Sequence, residues 1–272
     1  MRLKDYLKNK LTKKEYEIFP TSFDIIGDIA IFVDLPKELT KKEKLIGNSL
    51  MLLNKNIKVV CKKIGKYSGK YRTPKLKIIA GEKRKETTYL ENGIRLMLDV
   101  EKVYFSPRLG NERKRVADLV KSNENVLVMF SGCGPYTIQI AKKAKSVAAV
   151  EVNPIAHKYA LKNLILNKIK NATILKGDVK KIIPKLKEKF DRIVMPLPKT
   201  AKEFLKQAFL VSKKGTIVHF YTFAREDEFD KVKNDLVNES KKLGKNIKIL
   251  EIVKAGEYAP RVQRICVDFS IQ

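Results

Sequence analysis

The sequence predicts an α/β chain, with a doubly wound sheet over residues 103–272 preceded by a smaller α+β unit over residues 1–102. Three observations carry this. From about residue 103, short apolar runs alternate with segments of helical spacing. The first of those apolar runs ends in a glycine-rich turn, as the first strand–helix junction of such sheets does. The first hundred residues lack the alternation and carry a hairpin signal instead, Glu91-Asn92-Gly93.

In the leading unit, Ser22 to Val33 reads as a turn followed by an apolar strand, and Leu39 to Leu53 has helical spacing. Val59 to Ile64 and Leu76 to Ile79 alternate as strands, joined by a basic polar link, Lys66-Tyr67-Ser68-Gly69-Lys70-Tyr71-Arg72. Thr87-Thr88-Tyr89 and Ile94 to Met97 flank the hairpin turn.

In the second unit the expected strands are Val126–Phe130, Ser146–Val150, Ala172–Leu175, Phe190–Met195 and Gly215–Tyr221. The helices between them are Tyr136–Lys145, Ile155–Asn167 and Ala201–Leu210, with Glu228–Leu243 after the fifth strand. Strands near Lys248–Val253 and Arg264–Ser270 close the chain and imply an antiparallel edge.

Composition narrows the partners. Fifty-eight Lys+Arg against 30 Asp+Glu give a net charge of +28, which points to a polyanion. The cations are spread along the chain rather than gathered on an amphipathic helix with an aromatic face, which favours nucleic acid over a membrane surface. A thermophile surface would raise Lys with matching Glu, and here the acids do not match. No run of about 18 apolar residues is present and the N-terminus lacks an apolar signal core, so a cytoplasmic protein is expected. Cys61, Cys133 and Cys266 with His157 and His219 show no metal-ligand spacing, so no metal is expected.

Ser131-Gly132-Cys133-Gly134-Pro135 follows the strand ending at Phe130. Glycines suit this turn because a ligand presses against bare backbone there. Glu151 follows the next strand, about 20 residues on, where a carboxylate accepts bonds from ribose hydroxyls. Gly177-Asp178-Val179 follows the third strand and can offer an acid to an adenine amino group, and Met195-Pro196-Leu197-Pro198 follows the fourth. Four candidates at the carboxyl ends of successive strands form a nucleotide-like site. Thr137 stands where a dinucleotide fingerprint has its third glycine, which favours a methyl donor over a nicotinamide.

Tyr104-Phe105-Ser106-Pro107-Arg108-Leu109-Gly110-Asn111-Glu112-Arg113 resembles a signature of archaeal and eukaryotic tRNA (guanine-37, nitrogen 1)-methyltransferases. So do Phe130–Pro135, Glu151-Val152-Asn153-Pro154, Gly177-Asp178-Val179, Leu197-Pro198-Lys199 and Tyr258-Ala259-Pro260-Arg261, and the likeness covers nearly the whole chain. It implies a class I, Rossmann-like methyltransferase domain preceded by an α+β RNA-binding domain, S-adenosylmethionine as cofactor, tRNA as partner and a monomer. Carried over position by position, it implies catalytic roles for Glu112, Arg72 and Pro196. It implies cofactor contacts from Tyr104, Ser106, Arg108, Arg113, Phe130, Gly132, Gly134, Glu151, Val152, Asn153, Asp178, Val179 and Pro196.

The sequence departs from the family in three places. Val128 stands where an acid usually ends the first strand. Pro196-Leu197-Pro198 replaces Asn-Leu-Pro and resembles the archaeal wyosine branch, some of whose members also methylate carbon 7 of 4-demethylwyosine to give isowyosine. Whether one base or both are acceptors stays open. The family often has a further small domain that recognises the tRNA elbow, and this sequence starts directly at the second domain.

Nitrogen 1 of guanine carries a proton near neutral pH, so a base must remove it, and the resemblance gives that role to Glu112. Arg72 would stabilise charge on oxygen 6. The alternatives are a surface helix pair for Glu112 with its basic neighbours, and a phosphate clamp for Arg72. Tyr104 and Phe105 suit stacking on an extruded base or plain core packing. Lys62 to Lys75 and a lysine-rich helix near Lys180–Lys189 are candidate phosphate contacts. Competing readings are transfer of the aminocarboxypropyl arm of the same cofactor, and a non-catalytic RNA-binding protein.

Overall fold

The computed structural model describes residues 2–20, 22–69, 71–197 and 199–272. Lys70 of the basic link and Pro198 of the Leu-Pro-Lys run lie outside the described residues, as do the side chains of Lys66, Tyr67 and Ser68. The chain divides into two compact units, residues 1–107 and 108–272. The first reaches five residues past the boundary read from composition because Val100, Val103 and Phe105 pack into it. They share an apolar hollow with Ile26, Val33 and Leu76, and Phe105 meets Tyr89 edge-on at 5.1 Å.

The first unit holds helices α1 (Leu3–Leu7), α2 (Lys13–Glu17) and α3 (Glu43–Leu53). Its four-stranded sheet runs in order from β1 (Asp24–Ile26) through β2 (Ile29–Phe32) and β3 (Val59–Ser68) to β4 (Thr73–Gly81). Ile46 and Leu50 of α3 join Phe32, Val60 and Ile79 in its core. Gly47 lets the helix approach closely, since a Cβ there would lie 2.5 Å from that of Ala80. Helices α1 and α2 are absent from the sequence reading because five residues are too few to show a period. α2 is instead fixed by a capping box between Thr12 and Glu15. The hairpin β5 (Glu86–Glu91) and β6 (Ile94–Asp99) turns at Asn92 and Gly93, at φ 46° and 70°, the left-handed pair a two-residue turn requires. Lys62 is tied into a buried ion pair with Glu43, which Lys77 joins at 2.7 Å, so this lysine is committed to the fold.

The second unit is a seven-stranded sheet. Helix α4 (Gly110–Asp118) leads to β7 (Asn125–Met129), α5 (Pro135–Ala141), β8 (Ser146–Glu151), α6 (Pro154–Leu166), β9 (Ala172–Lys176) and α7 (Val179–Ile182). β10 (Phe190–Met195), α8 (Leu205–Leu210), β11 (Ser212–Ala224), α9 (Phe229–Lys242), β12 (Ile247–Ala259) and β13 (Val262–Ile271) follow. The spatial order is β12-β13-β11-β10-β7-β8-β9. Chain order reverses at β7, whose neighbours are β8 on one side and β10 on the other. That is the switch point where open sheets bind ligands.

The terminal strands make the antiparallel edge expected of them: β12 is outermost and β13 inserts between β11 and β12, because the long terminal hairpin folds back along β11. One expectation is corrected. The lysine-rich helix near Lys180–Lys189 is one short turn that tightens at Ile183–Lys185 and stops, since Pro184 lacks the donor to continue it. Among the described residues no helix is long and apolar enough to cross a membrane.

Candidate active site

The glycine loop leaves β7 through Phe130, a non-glycine residue at φ 61° held by an edge-on contact with Phe204 at 4.9 Å. Gly132 and Gly134 follow at φ 59° and 91°. Gly134 caps α5, with Pro135 at its first position. Ser131 N–H donates to the Val150 carbonyl at 2.9 Å, tying the loop to the next strand.

Glu151 joins three of the four rim loops. Its Oε2 accepts from Gly132 N–H at 2.6 Å and its Oε1 from Asn153 N–H at 2.7 Å. Its carbonyl accepts from Gly177 N–H at 2.8 Å. Burial pushes its carboxyl above the ordinary 4.5, against the bonds from Asn153, Gly132 and Val152 that favour charge. A carboxylate has about four acceptor positions, so at least one remains for a hydroxyl of a ligand. Asn153 caps α6 through Ile155 and Ala156 N–H, and Asp178 caps α7 through Lys180 N–H at 2.8 Å. Val179 is buried, while Val152 and Pro196 are half-buried.

Glu112 lies in the first turn of α4, and it is 6 % exposed. Arg115 grips it with two bonds of 2.8 Å, and Tyr221 OH donates to its Oε1 at 2.5 Å. Tyr136 OH donates in turn to Tyr221 at 2.9 Å. The helix pair with a basic neighbour therefore exists, but it is buried rather than on the surface.

The same guanidinium reaches Asp268 at 2.7 Å, and Asp268 Oδ1 lies 2.6 Å from His219 Nδ1. His219 Nε2 faces Arg192 Nη1 at 2.8 Å, and Arg192 makes a double bond pair with Glu124. A guanidinium only donates, so Nε2 accepts and the imidazole proton sits on Nδ1, donating to Asp268. Burial opposes ionisation of Asp268, but bonds from His219, Arg115 and Cys266 hold its carboxyl well below the ordinary 3.8. His219, Cys266 and Asp268 crowd their ligand atoms within 4.8 Å, yet two guanidiniums touch this group and would repel a cation. The cluster is a buried hydrogen-bond chain, 112–115–268–219–192–124.

Burial lowers His219 below the ordinary 6.5, with Asp268 pulling the other way. A folded value below the unfolded one stabilises through the neutral form. That stabilisation is complete above pH 6.5 and is lost as pH falls through the folded value. Unfolding experiments are expected to show stability declining from pH 7 towards 5, with a smaller decline in His219→Asn. Equal slopes in the two proteins would exclude a neutral buried His219.

Arg113 is buried, Arg108 and Tyr104 are exposed, and Ser106 is half-buried. Arg72 sits at φ 50° in the turn after β3. Of these, Arg72, Tyr104 and Ser106 belong to the first unit and Arg108 and Arg113 to the second. The roles of Tyr221, Tyr136, Asp268, His219, Arg192 and Glu124 were absent from the sequence reading. The available signal was an acid or a histidine inside an otherwise apolar strand, which must find a partner.

Comparison with known proteins places this geometry. The model of the TRM5/TYW2 methyltransferase domain matches residues 87–250, and that of the TYW2 N-terminal domain matches residues 3–84.

The chain belongs to the TRM5/TYW2 methyltransferase family.

One TRM5/TYW2 relative is the tRNA (guanine(37)-N(1))-methyltransferase Trm5b of Pyrococcus abyssi, 44% identical over 93% of this chain and 75% of that protein. Another is the tRNA (guanine(37)-N(1))/4-demethylwyosine(37)-methyltransferase Taw22 of Nanoarchaeum equitans, 35% identical over 91% of this chain and 98% of that protein. Among solved structures, the complex of aTrm5 with tRNALeu superposes with TM-score 0.85 at 31% identity, over 100% of this chain and 78% of that one. Methanocaldococcus jannaschii Trm5 in complex with adenosine gives TM-score 0.80 at 32% identity, over 99% and 78%.

Proposed function

We propose that this chain transfers a methyl group from S-adenosylmethionine to nitrogen 1 of the guanine at position 37 of tRNA, acting as a monomer in the cytoplasm. The observation that carries the reading is Glu151, whose single carboxylate and carbonyl draw together the loops of β7, β8 and β9 at the switch point. The residues fit the cofactor. Gly132 and Gly134 offer backbone without side chains, Glu151 has an acceptor position left for a ribose hydroxyl, and Asp178 presents an acid at the next rim loop. When bound, the cofactor supplies a methyl group on a sulfonium, which is already a good leaving group.

The protein's share is deprotonation and positioning. Glu112 receives the nitrogen 1 proton on the acceptor position that Arg115 and Tyr221 leave open. Arg115 keeps Asp268 as a partner throughout, so neutralising Glu112 does not leave its guanidinium without a counter-charge. Arg72 carries the stabilisation of oxygen 6, and Tyr104, Ser106, Arg108 and Arg113 contacts to cofactor or base, on the strength of the family motif. Pro196 follows β10 and removes the side-chain donor that most of the family has there.

A second acceptor is favoured by one observation, the 35% identity with the dual-substrate Taw22 over nearly its whole length. Carbon 7 of 4-demethylwyosine also loses a proton after attack, so one base serves both reactions.

Glu151→Gln tests the cofactor reading. An amide places a donor against Gly132 or Asn153 N–H and offers fewer acceptors to the ribose. Calorimetry should show S-adenosylmethionine binding weakened by about ten- to a hundredfold, the loss of hydrogen bonds to a charged group. Undiminished affinity would remove Glu151 from the site.

A further inference from the structure

The Tyr258-Ala259-Pro260-Arg261 run takes no part in the chemistry above. β13 is antiparallel to both β11 and β12, so β12 runs the same way as β11 and its carboxyl end points to the ligand rim. Ala224 at the end of β11 pairs with Gln263, while β12 and β13 go on pairing to Ala259 and Val262. The hairpin tip therefore extends past the carboxyl end of β11, on the rim side of the sheet.

Phe223, Arg264 and Gly256 share one row across the three strands, so they face the same way, and Tyr258, in the bulge between Glu257 and Ala259, reaches the same side through its contact with Phe223. Tyr258 stacks on Phe223 with centroids 3.9 Å apart and planes 28° apart, and the Arg264 guanidinium lies 5.5 Å from the Phe223 centroid. Gly256 leaves this row open, with nothing within 4 Å of where its Cβ would be. Despite the stack, Tyr258 remains 59 % exposed.

The turn adds a second observation. Pro260 precedes Arg261, which sits exposed at φ 63°, the position where such a turn takes glycine or asparagine. Arginine gains nothing from its backbone there, which leaves its exposed side chain as the feature to account for. An exposed aromatic face backed by a second ring, beside an outward guanidinium, matches an unpaired base and its phosphate.

We propose that Tyr258, backed by Phe223, is a stacking platform for one unpaired base of the RNA substrate, and that Arg261 holds the adjoining phosphate. This rests on the tRNA reading above and specifies where a loop base outside the reacting one is held. The rival account is a cross-strand aromatic pair that only stabilises the hairpin.

The test uses the full chain and an anticodon stem-loop RNA at fixed salt. Tyr258→Leu, which keeps apolar cover on Phe223, should bind the RNA about 5- to 100-fold more weakly, and Tyr258→Phe within about twofold of the unchanged protein. Both should melt as the unchanged protein does and bind S-adenosylmethionine equally. Replacing the loop nucleotides one at a time by abasic ones should find a single position at which Tyr258→Leu costs nothing further. Arg261→Gly should melt no lower, since glycine suits the turn, yet bind less tightly and lower the slope of log K against log salt by about one. Equal RNA affinity for Tyr258→Leu and the unchanged protein, or a loss that is the same at every abasic position, overturns the platform. If the unchanged protein binds cofactor but no RNA, the tRNA reading falls with it.

Discussion

Glu112→Gln is expected to slow single-turnover methylation of guanine-37 tRNA by about 10²- to 10⁴-fold, the usual contribution of a general base. Cofactor affinity should change little, and melting temperature should fall by less than in a variant that removes Arg115. Glutamine keeps the shape, and its carbonyl oxygen can still accept from Tyr221 and Arg115 Nη2, while the bond from Arg115 Nε is lost. What it lacks is a charge able to take the nitrogen 1 proton. A variant that methylates at the original rate would return Glu112 to a structural role, as the anchor of Arg115 alone.

The second large effect is on stability. Arg115→Leu removes the guanidinium that bridges Glu112 and Asp268, both almost fully buried. Two carboxylates would then lie within the fold without their cation. Breaking a buried pair in this way costs about 3–5 kcal/mol. For a unit of this size that is a fall of roughly 10 °C in melting temperature by calorimetry. Arg115→Lys should recover part of it, because an ammonium supplies charge but not the fork that meets both acids. A loss below about 1 kcal/mol would mean that solvent already reaches the pair.

The two effects separate because the sequence displays them differently. The rim loops were legible. Gly132, Glu151, Asp178 and Pro196 each follow an apolar run, and the strand–helix period fixes which end of the sheet they share. Glu112 was legible from its motif, although its neighbours in sequence suggested a surface pair. What surrounds it was not legible, since Tyr221, Asp268, His219 and Arg192 come from β10, β11 and β13. Strand pairing brings those residues together, and local periodicity carries no information about which strand lies beside which. The order β12-β13-β11 is likewise a property of the long hairpin, whose true length was hidden because Glu251, Lys254 and Glu257 break its apolar run. The capping box at Thr12 and the turn at Asn92-Gly93 show the opposite case, short elements dictated by a few residues.

The central claim is methyl transfer to the base at position 37, and nucleoside analysis after a single incubation tests it most directly. The unchanged protein is mixed with S-adenosylmethionine labelled in the methyl group and two tRNAs, one carrying guanine and one carrying 4-demethylwyosine at that position. The account predicts label in 1-methylguanosine from the first tRNA, with S-adenosylhomocysteine as by-product, and label in isowyosine from the second if the tricyclic base is also an acceptor. Methylthioadenosine as the by-product, or cofactor binding without any labelled nucleoside, would contradict it.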